Sequence, residues 1–382
     1  MEDIKPETTE SAKPENKKKS KKSFLWKIPL FTILAILLIA IIYVSYVFLT
    51  YSRIGDNKEL EITGNAEDKA QTGVEYTAVT YNIGFGAYVP DYTFFMDGGK
   101  ESRARSKKSV EECTEGVANV ALDNNADFVL YQEVDTDSTR SFHVDQTEMI
   151  DDKFSDYDHV FAVNYHSAYL FYPITKPHGK SNSGILTESR FDVTSSLRRK
   201  LPVSTGLKKI LDLDRCYSIS RIPVENGKEL VLINTHLSAY GTEKGQGNAQ
   251  LEMIFDDMLA EYEKGNYVIC GGDFNHDFTG TSREKLNPGT NKDYDWTQPF
   301  PADIIPEGFS CCTDYEDGLV ASARNADIPY SEESFTVVLD GFLISDNIEC
   351  TYVQNLDTGF EYTDHNPVVM KFILNTTAYN LE

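Results

Sequence analysis

The sequence predicts an α/β domain carried behind one membrane-crossing helix. Three observations predict it. Residues 28–49 run for 22 positions without a charge. Residues 74–134 read strand, helix, strand, with polar side chains at both strand exits, the usual placement of an α/β active site. Residues 246–264 carry the clearest amphipathic period in the chain, and a short apolar strand follows at once.

The chain has 382 residues, 41% of them hydrophobic, enough for a large core. Its formal charge is −24, from 60 acidic and 36 basic residues. Residues 1–50 hold eight lysines and five acids, which leaves 28 basic and 55 acidic residues beyond them. That balance argues against a broad basic groove for nucleic acid. It leaves room for a local basic patch or a metal-bridged phosphate. An acidic surface also serves solubility alone.

Residues 1–23, rich in Lys, Glu, Pro and Ser without an apolar period, read as a disordered cytoplasmic tail. At ~1.5 Å per residue the charge-free run spans ~30 Å of hydrocarbon, so residues 24–51 read as a transmembrane anchor. Trp26, Tyr43, Tyr46 and Tyr51 suit its interfaces. The exit over residues 48–53 lacks the small-x-small pattern of a cleaved signal, which favours an uncleaved anchor. Lys17, Lys18, Lys19, Lys21, Lys22 and Lys27 precede it, and the positive-inside rule then places the remainder outside the cell. Residues 52–72 are polar and glycine-bearing, a short tether before a domain over residues 73–375. The six cysteines show no zinc spacing and are too few for a disulfide scaffold.

Within the domain, residues 74–81 are rich in β-formers and end at a turn, Asn82-Ile-Gly-Phe-Gly86. Residues 106–124 place Val110, Cys113, Val117, Val120 and Ala121 on one helical face. Residues 127–134 return as a continuous apolar strand that delivers Gln132 and Glu133 to its end. A short helix is expected over 142–153, a strand over 157–163, and a turn entering a strand over 181–187. Asn226-Gly227 joins strands 216–224 and 229–235 as a hairpin, the second ending at Asn234-Thr-His236. The helix over 246–264 closes at Gly265-Asn266. Residues 279–333 are long, polar and irregular. Strands are expected over 334–344, bearing Asp340, over 349–354, and over 368–374 after the turn Tyr362-Thr-Asp-His-Asn-Pro367.

Tyr267-Val-Ile-Cys-Gly-Gly-Asp-Phe-Asn-His276 is the stretch with the most chemistry. Residues 267–270 read as a buried strand, and two glycines let another group approach the backbone where the chain leaves it. Asp273 and Asn275 share a side if the chain stays extended, an acceptor and a donor aimed together. A Gly-Gly turn whose Asp and Asn satisfy their own backbone fits the same residues. Asn82, Glu133, His236, Asp273, Asn275, Asp340, Asp364 and His365 all lie at strand exits, and several independent strands ending this way favour a site.

Six stretches, in order, resemble the endonuclease/exonuclease/phosphatase family of metal-dependent phosphoester hydrolases: Thr80-Tyr-Asn-Ile-Gly84, Tyr131-Gln-Glu-Val134, Asn234-Thr-His-Leu237, Gly271-Gly-Asp-Phe-Asn275, Leu339-Asp-Gly-Phe342 and Thr363-Asp-His-Asn-Pro367. The resemblance covers residues 74–374 and implies a four-layer α/β sandwich of two packed mixed sheets flanked by helices. It implies Glu133 as the principal metal ligand, with Asn82 and Asp364 beside it. Asp273 would orient the attacking water, Asn275 would donate to phosphate, and His365, held by Asp340, would contact phosphate. His236 matches the second histidine of the deoxyribonuclease and sphingomyelinase branches. The implied cofactor is Mg²⁺, with Mn²⁺ or Ca²⁺ as alternatives.

The substrate that the resemblance implies is a phosphoester: nucleic acid, a phospholipid headgroup or a small phosphorylated molecule. Arg103, Arg105, Lys107, Lys108, Arg198, Arg199, Lys208 and Lys209 are basic candidates for its contacts, and Arg324 and Asn325 in the long loop are further ones. No protein partner is inferred. A catalytically degenerate binding module on a membrane stalk is the alternative, and the presence of all eight site residues argues against it.

Overall fold

The computed structural model describes residues 27–203, 213–239, 246–289 and 297–376. The 1–23 tail, Lys208 and Lys209 lie outside these residues. Helix α1 (Lys27–Thr50) is the expected apolar run; it reaches a mean hydropathy of 2.7 with none of that window buried, long and apolar enough to cross a membrane. The unit from Tyr51 onward is the α/β body.

Two seven-stranded sheets form its centre. The first runs, in spatial order, β1 (Lys58–Glu59), β7 (Ser195–Lys200), β8 (Cys216–Pro223), β9 (Glu229–His236), β10 (Tyr267–Asp273), β14 (Asp340–Ser345) and β11 (Phe309–Cys311). The second runs β15 (Ile348–Asn355), β16 (Val368–Leu374), β3 (Glu75–Asn82), β4 (Phe128–Asp135), β6 (Asn182–Ser189), β5 (Asp158–His166) and β2 (Ile62–Gly64). A separate ribbon pairs β12 (Ala323–Arg324) with β13 (Thr336–Val337). Each large sheet contains one parallel pair, β9 with β10 and β3 with β4, and the other pairs are antiparallel.

Those parallel pairs require crossovers, and helices supply them. Helix α2 (Lys107–Asp123) joins β3 to β4, and helix α4 (Gln246–Tyr262) joins β9 to β10; α3 (Gln146–Lys153) follows β4 and α5 (Ser282–Leu286) follows β10. Ser106 caps α2 by accepting from the Ser109 N–H at 3.1 Å. The α2 face Val110, Cys113, Val117 and Ala121 is buried, as its spacing predicts. Layers follow from what the strands bury. Ala78, Phe128 and Leu130 of the second sheet meet Leu230, Leu232, Ile269 and Phe342 of the first. The opposite faces pack on helices: Val231, Ile233 and Val268 against Leu251, Ile254 and Met258 of α4, and Val79, Val129 and Tyr131 against Val117 and Ala121 of α2. The result is the four-layer sandwich.

Some elements differ from expectation. The stretch read as a tether supplies β1 and β2, one short edge strand to each sheet. The glycine pair lies inside β10, which continues to Asp273. A Cβ on Gly271 would stand 2.6 Å from the Phe342 ring and 2.8 Å from Leu130, and one on Gly272 (φ +148°) 2.0 Å from the Thr235 carbonyl oxygen. The groups that approach this backbone are the neighbouring strands and the facing sheet. The strand expected over 334–344 is broken between β13 and β14, where the Leu339 and Asp340 N–H groups donate to Ser322 Oγ instead of to a ladder. The Asn226-Gly227 hairpin forms as expected, with Gly227 at φ +82°.

Candidate active site

Strand register assembles most of the site. On β10, Asp273 stands opposite His236 of parallel β9 and opposite Asp340 of antiparallel β14. From the facing sheet, Asn82 at the end of β3 donates through Nδ2 to Asp273 Oδ2 at 3.0 Å. His236 Nε2 lies 3.5 Å and His365 Nε2 3.8 Å from that same oxygen. One carboxylate oxygen thus gathers four chain segments from both sheets. The other oxygen, Oδ1, accepts the Asn275 N–H at 2.9 Å. Asn275 has φ +51°, so the extended run ends and the shared-side geometry does not occur. Its carboxamide donates to the Leu237 carbonyl at 2.8 Å and stays beside the site, 7% exposed. Asp273 caps a turn with Oδ1, while its Oδ2 lies among Asn82, His236 and His365.

Glu133 is aimed by a bulge. The β4–β6 register shifts between Tyr131 and Val134, and Glu133 has φ +56°, the left-handed region that a non-glycine residue enters at a cost. Its Oε1 lies 3.5 Å from Asn82 Nδ2. Gln132, just before it, turns inward, and its Nε2 donates to Asn234 Oδ1 at 2.9 Å. Asn234 in turn donates to the carbonyls of Tyr131 and Leu186, a polar lock between the sheets. Asp364 sits on the loop before β16, where it accepts from Thr363 Oγ1 at 3.2 Å. Thr363 Oγ1 also donates to the Asn82 carbonyl at 3.1 Å, tying that loop to β3.

The charges are ordered. Burial opposes charge on His365, but Asp340, which accepts its Nδ1–H at 2.8 Å, and the charge of Asp273 raise its pKa to about 10. His365 is therefore an imidazolium. Burial, then the charges of Arg215 and His365, hold His236 well below its ordinary range, so it is neutral. Burial and Asp340 push Asp273 up. Burial pushes Glu133 and Asp364 up, and Asp364 adds to the effect at Glu133. Two half-buried carboxylates with few hydrogen-bond donors of their own, beside a carboxamide, make a hard oxygen donor set of the kind that holds a divalent cation. Asp273, Asp340 and His365 also place one ligand-type atom each within 4.8 Å of one another.

Arg324 and Asn325 do not join this group directly. Arg324 is 3% exposed, and its guanidinium donates to the carbonyls of Tyr88, Val89 and Asn325. Its backbone N–H donates to the Asp364 carbonyl, so its charge bears on Asp364 from behind. Asn325 is half-buried and its N–H donates to the Phe335 carbonyl. Among the other basic candidates, Arg198 is 1% exposed and donates to the carbonyls of Val163, Gly55 and Asp214, and Arg199 pairs with Asp56 and Asp257.

Three residues with roles at the site went unread in the sequence. Ser322 donates to Asp340 Oδ2 at 2.7 Å and accepts two backbone N–H groups, which fixes the carboxylate that holds His365. Arg140, buried against Asp135 at 2.8 Å, places a cation near Glu133. Arg215 donates to the His236 carbonyl at 3.2 Å. No local pattern marks Ser322, which lies in the irregular stretch 279–333.

The model of the endonuclease/exonuclease/phosphatase family matches residues 79–364. Among solved structures, an endonuclease/exonuclease/phosphatase from Beutenbergia cavernae DSM 12333 superposes with a TM-score of 0.54 at 16% identity, over 79% of this chain and 72% of that one. ANGEL2, a 2',3'-cyclic phosphatase, superposes with a TM-score of 0.51 at 12% identity, over 85% of this chain and 99% of that one. At such identities the likeness is one of fold. Comparison with curated proteins finds no match.

Proposed function

Because the chain belongs to the endonuclease/exonuclease/phosphatase family of metal-dependent phosphoester hydrolases, we propose that it hydrolyses a phosphoester outside the cell while anchored by α1. The observation that carries this reading is the convergence on Asp273 Oδ2 of Asn82, His236 and His365, with Asp340 in register beside it. Glu133, Asp364 and Asn82 would hold the cation, for which Mg²⁺ is the best match to the donors. When bound, it neutralises the phosphate and the leaving oxygen. Asp273 orients a water and draws its proton as the water oxygen attacks phosphorus. His365, a cation, donates to the phosphoryl oxygen, and Asn275 adds a fixed donor where charge builds. Asp340 keeps the His365 ring aligned. Neutral His236, its Nε2 3.5 Å from Asp273 Oδ2, would take up the proton that Asp273 draws from the water.

One observation favours a phospholipid headgroup among the phosphoesters. Asp97 lies close enough to Asp364 and Glu133 to feel their charge. Its neighbour Met96 is 74% exposed, and the Phe95 ring lies 5.7 Å from Tyr172, which is 68% exposed next to Ile174 at 87%. An exposed apolar cluster beside an acidic cleft suits a substrate with an apolar body and an anionic head. The positive-inside reading of Lys17, Lys18, Lys19, Lys21 and Lys22 before α1, with Lys27 at its first residue, supports an extracellular body.

The test is a panel of bis-p-nitrophenyl phosphate, phospholipid vesicles, DNA and RNA, given to the purified full chain with Mg²⁺ or with EDTA. Turnover with Mg²⁺ that EDTA abolishes is expected, fastest on phospholipid. Turnover indifferent to EDTA refutes the metal role, and no turnover of any member favours the binding module.

A further inference from the structure

A second group of metal-ligand side chains lies on the helix-covered face of the second sheet, and none of its members belongs to the active site. His159 of β5 and Glu188 of β6 are direct cross-strand neighbours. Asp151 of α3 closes over them. His159 Nδ1 hydrogen-bonds Glu188 Oε2 and lies 3.5 Å from Asp151 Oδ1. One ligand-type atom from each of the three lies within 4.8 Å of the others.

The oxygens left over are what make this a site. Glu188 is 0% exposed, yet its Oε1 has no hydrogen-bond donor. Asp151 Oδ1, also buried, has none, and the Asp151 and Glu188 carboxyls lie within hydrogen-bond reach of each other, so without a cation they hold a proton between them. Buried acceptors without donors are uncommon and costly, and carboxylate oxygens facing one another repel. One imidazole nitrogen cannot serve both carboxylates. A cation can, because it accepts lone pairs from all three residues together. The 3.5 Å between Nδ1 and Oδ1 is close to the edge of a tetrahedron with bonds of about 2.1 Å.

We propose that Asp151, His159 and Glu188 form a zinc site, distinct from the Mg²⁺-type site in the cleft. The donor set selects the ion: an imidazole with two carboxylates suits zinc, whereas Mg²⁺ prefers oxygen alone. The Asp151 side chain is 32% exposed, which leaves a solvent side for a fourth ligand and an entry path. The site ties α3 to the sheet. The same helix presents Gln146, whose Oε1 accepts the Asp135 N–H at 2.8 Å and whose Nε2 donates to Thr114 of α2, so zinc would brace the end of the strand that carries Glu133.

The full chain, stripped with chelator and dialysed against limiting Zn²⁺ in a large excess of Mg²⁺, tests this by metal content and melting. Asp151→Asn and Glu188→Gln are each expected to bind one zinc equivalent fewer than wild type, and Asp273→Asn to keep that equivalent. Zinc should raise the wild-type Tm by about 5 °C at saturation, a shift that Asp151→Asn loses. Asp151 is partly exposed, so its variant keeps the test alive if Glu188→Gln fails to fold. Equal zinc content in wild type and Asp151→Asn, or no zinc in wild type, overturns the proposal and leaves Asp151 and Glu188 sharing a proton.

Discussion

Two buried histidines in this domain each lie between two carboxylates, and their surroundings give them opposite charge states. His365 has Asp340 at 2.8 Å and Asp273 at 3.8 Å, and its pKa is raised to about 10. His159 has Glu188 and Asp151, and burial takes its pKa below the ordinary value despite the charges of Asp151 and Asp158. There the carboxyls move instead: burial pushes Glu188 well up, and burial with Glu188 pushes Asp151 up. Residue type does not set the outcome; the balance of burial against charge around each imidazole does. Ser322 and His365 both donate to Asp340 Oδ2, and the charges of Asp340, Asp273 and Asp364 all favour the His365 cation; Asp340 Oδ1, like Glu188 Oε1, has no hydrogen-bond partner. In the proposed reading the first cluster holds a fixed cation toward phosphate, and the second holds an added cation.

The sharpest way to break this contrast is at the reacting oxygen. Asp273→Asn keeps the shape and the cap on the Asn275 N–H but removes the base, so kcat should fall at least ~100-fold with the Tm held near wild type. Near-wild-type turnover would move the active site elsewhere. Ser322→Ala should have a smaller effect. It removes a donor from Asp340 and an acceptor from two N–H groups, so His365 loses its alignment, and kcat should fall ~10-fold while KM changes little. Loss of folded protein would also lower apparent kcat at constant KM, and it would show as a lost Tm transition, which Ser322→Ala should keep.

Smallest is a control remote from both histidines. Burial opposes charge on Glu261, but hydrogen bonds from Arg221 at 2.6 and 2.8 Å and from Lys264 at 2.8 Å lower its pKa from the ordinary 4.5 to about 2. A lowered carboxylate pKa contributes stability above the unfolded value and loses it as pH falls through the folded one. Glu261→Gln should therefore lower the Tm at pH 7, with the gap to wild type closing between pH 4.5 and about 2 and turnover at pH 7 unchanged. A gap that persists at pH 2 would assign the loss to packing rather than charge.

The candidate cluster was legible because each of its residues lies in a short local pattern, at a strand end (Asn82, His236, Asp273), near one (Glu133, Asn275), at a strand start (Asp340) or in the turn before one (Asp364, His365). The apolar run into Gly271-Gly272-Asp273, the strand into Glu133 and the turn before Val368 are all visible over a few positions. Even there the sequence does not show the bulge that gives Glu133 its φ of +56°, nor that the glycines serve close strand contact. Ser322, Arg140 and Arg215 act through contacts distant in sequence and carry no local signal. Asp151, His159 and Glu188 were illegible for the same reason: they meet only through the β5–β6 register and the packing of α3. β1 and β2, two and three residues long, are too short to show a period. Arg324 lies in an irregular stretch, and the sequence does not show that its two Nη atoms donate to carbonyls while its buried Nε has no partner.

The central claim is that Glu133 holds a divalent cation on which phosphoester hydrolysis at Asp273 depends. Its most direct test is a Mg²⁺ titration of bis-p-nitrophenyl phosphate turnover by wild type and Glu133→Gln. The account predicts a saturable Mg²⁺ requirement in wild type and, in the variant, a requirement shifted at least ~10-fold higher or turnover lost. Turnover independent of Mg²⁺, or superimposable titrations for the two proteins, would contradict it.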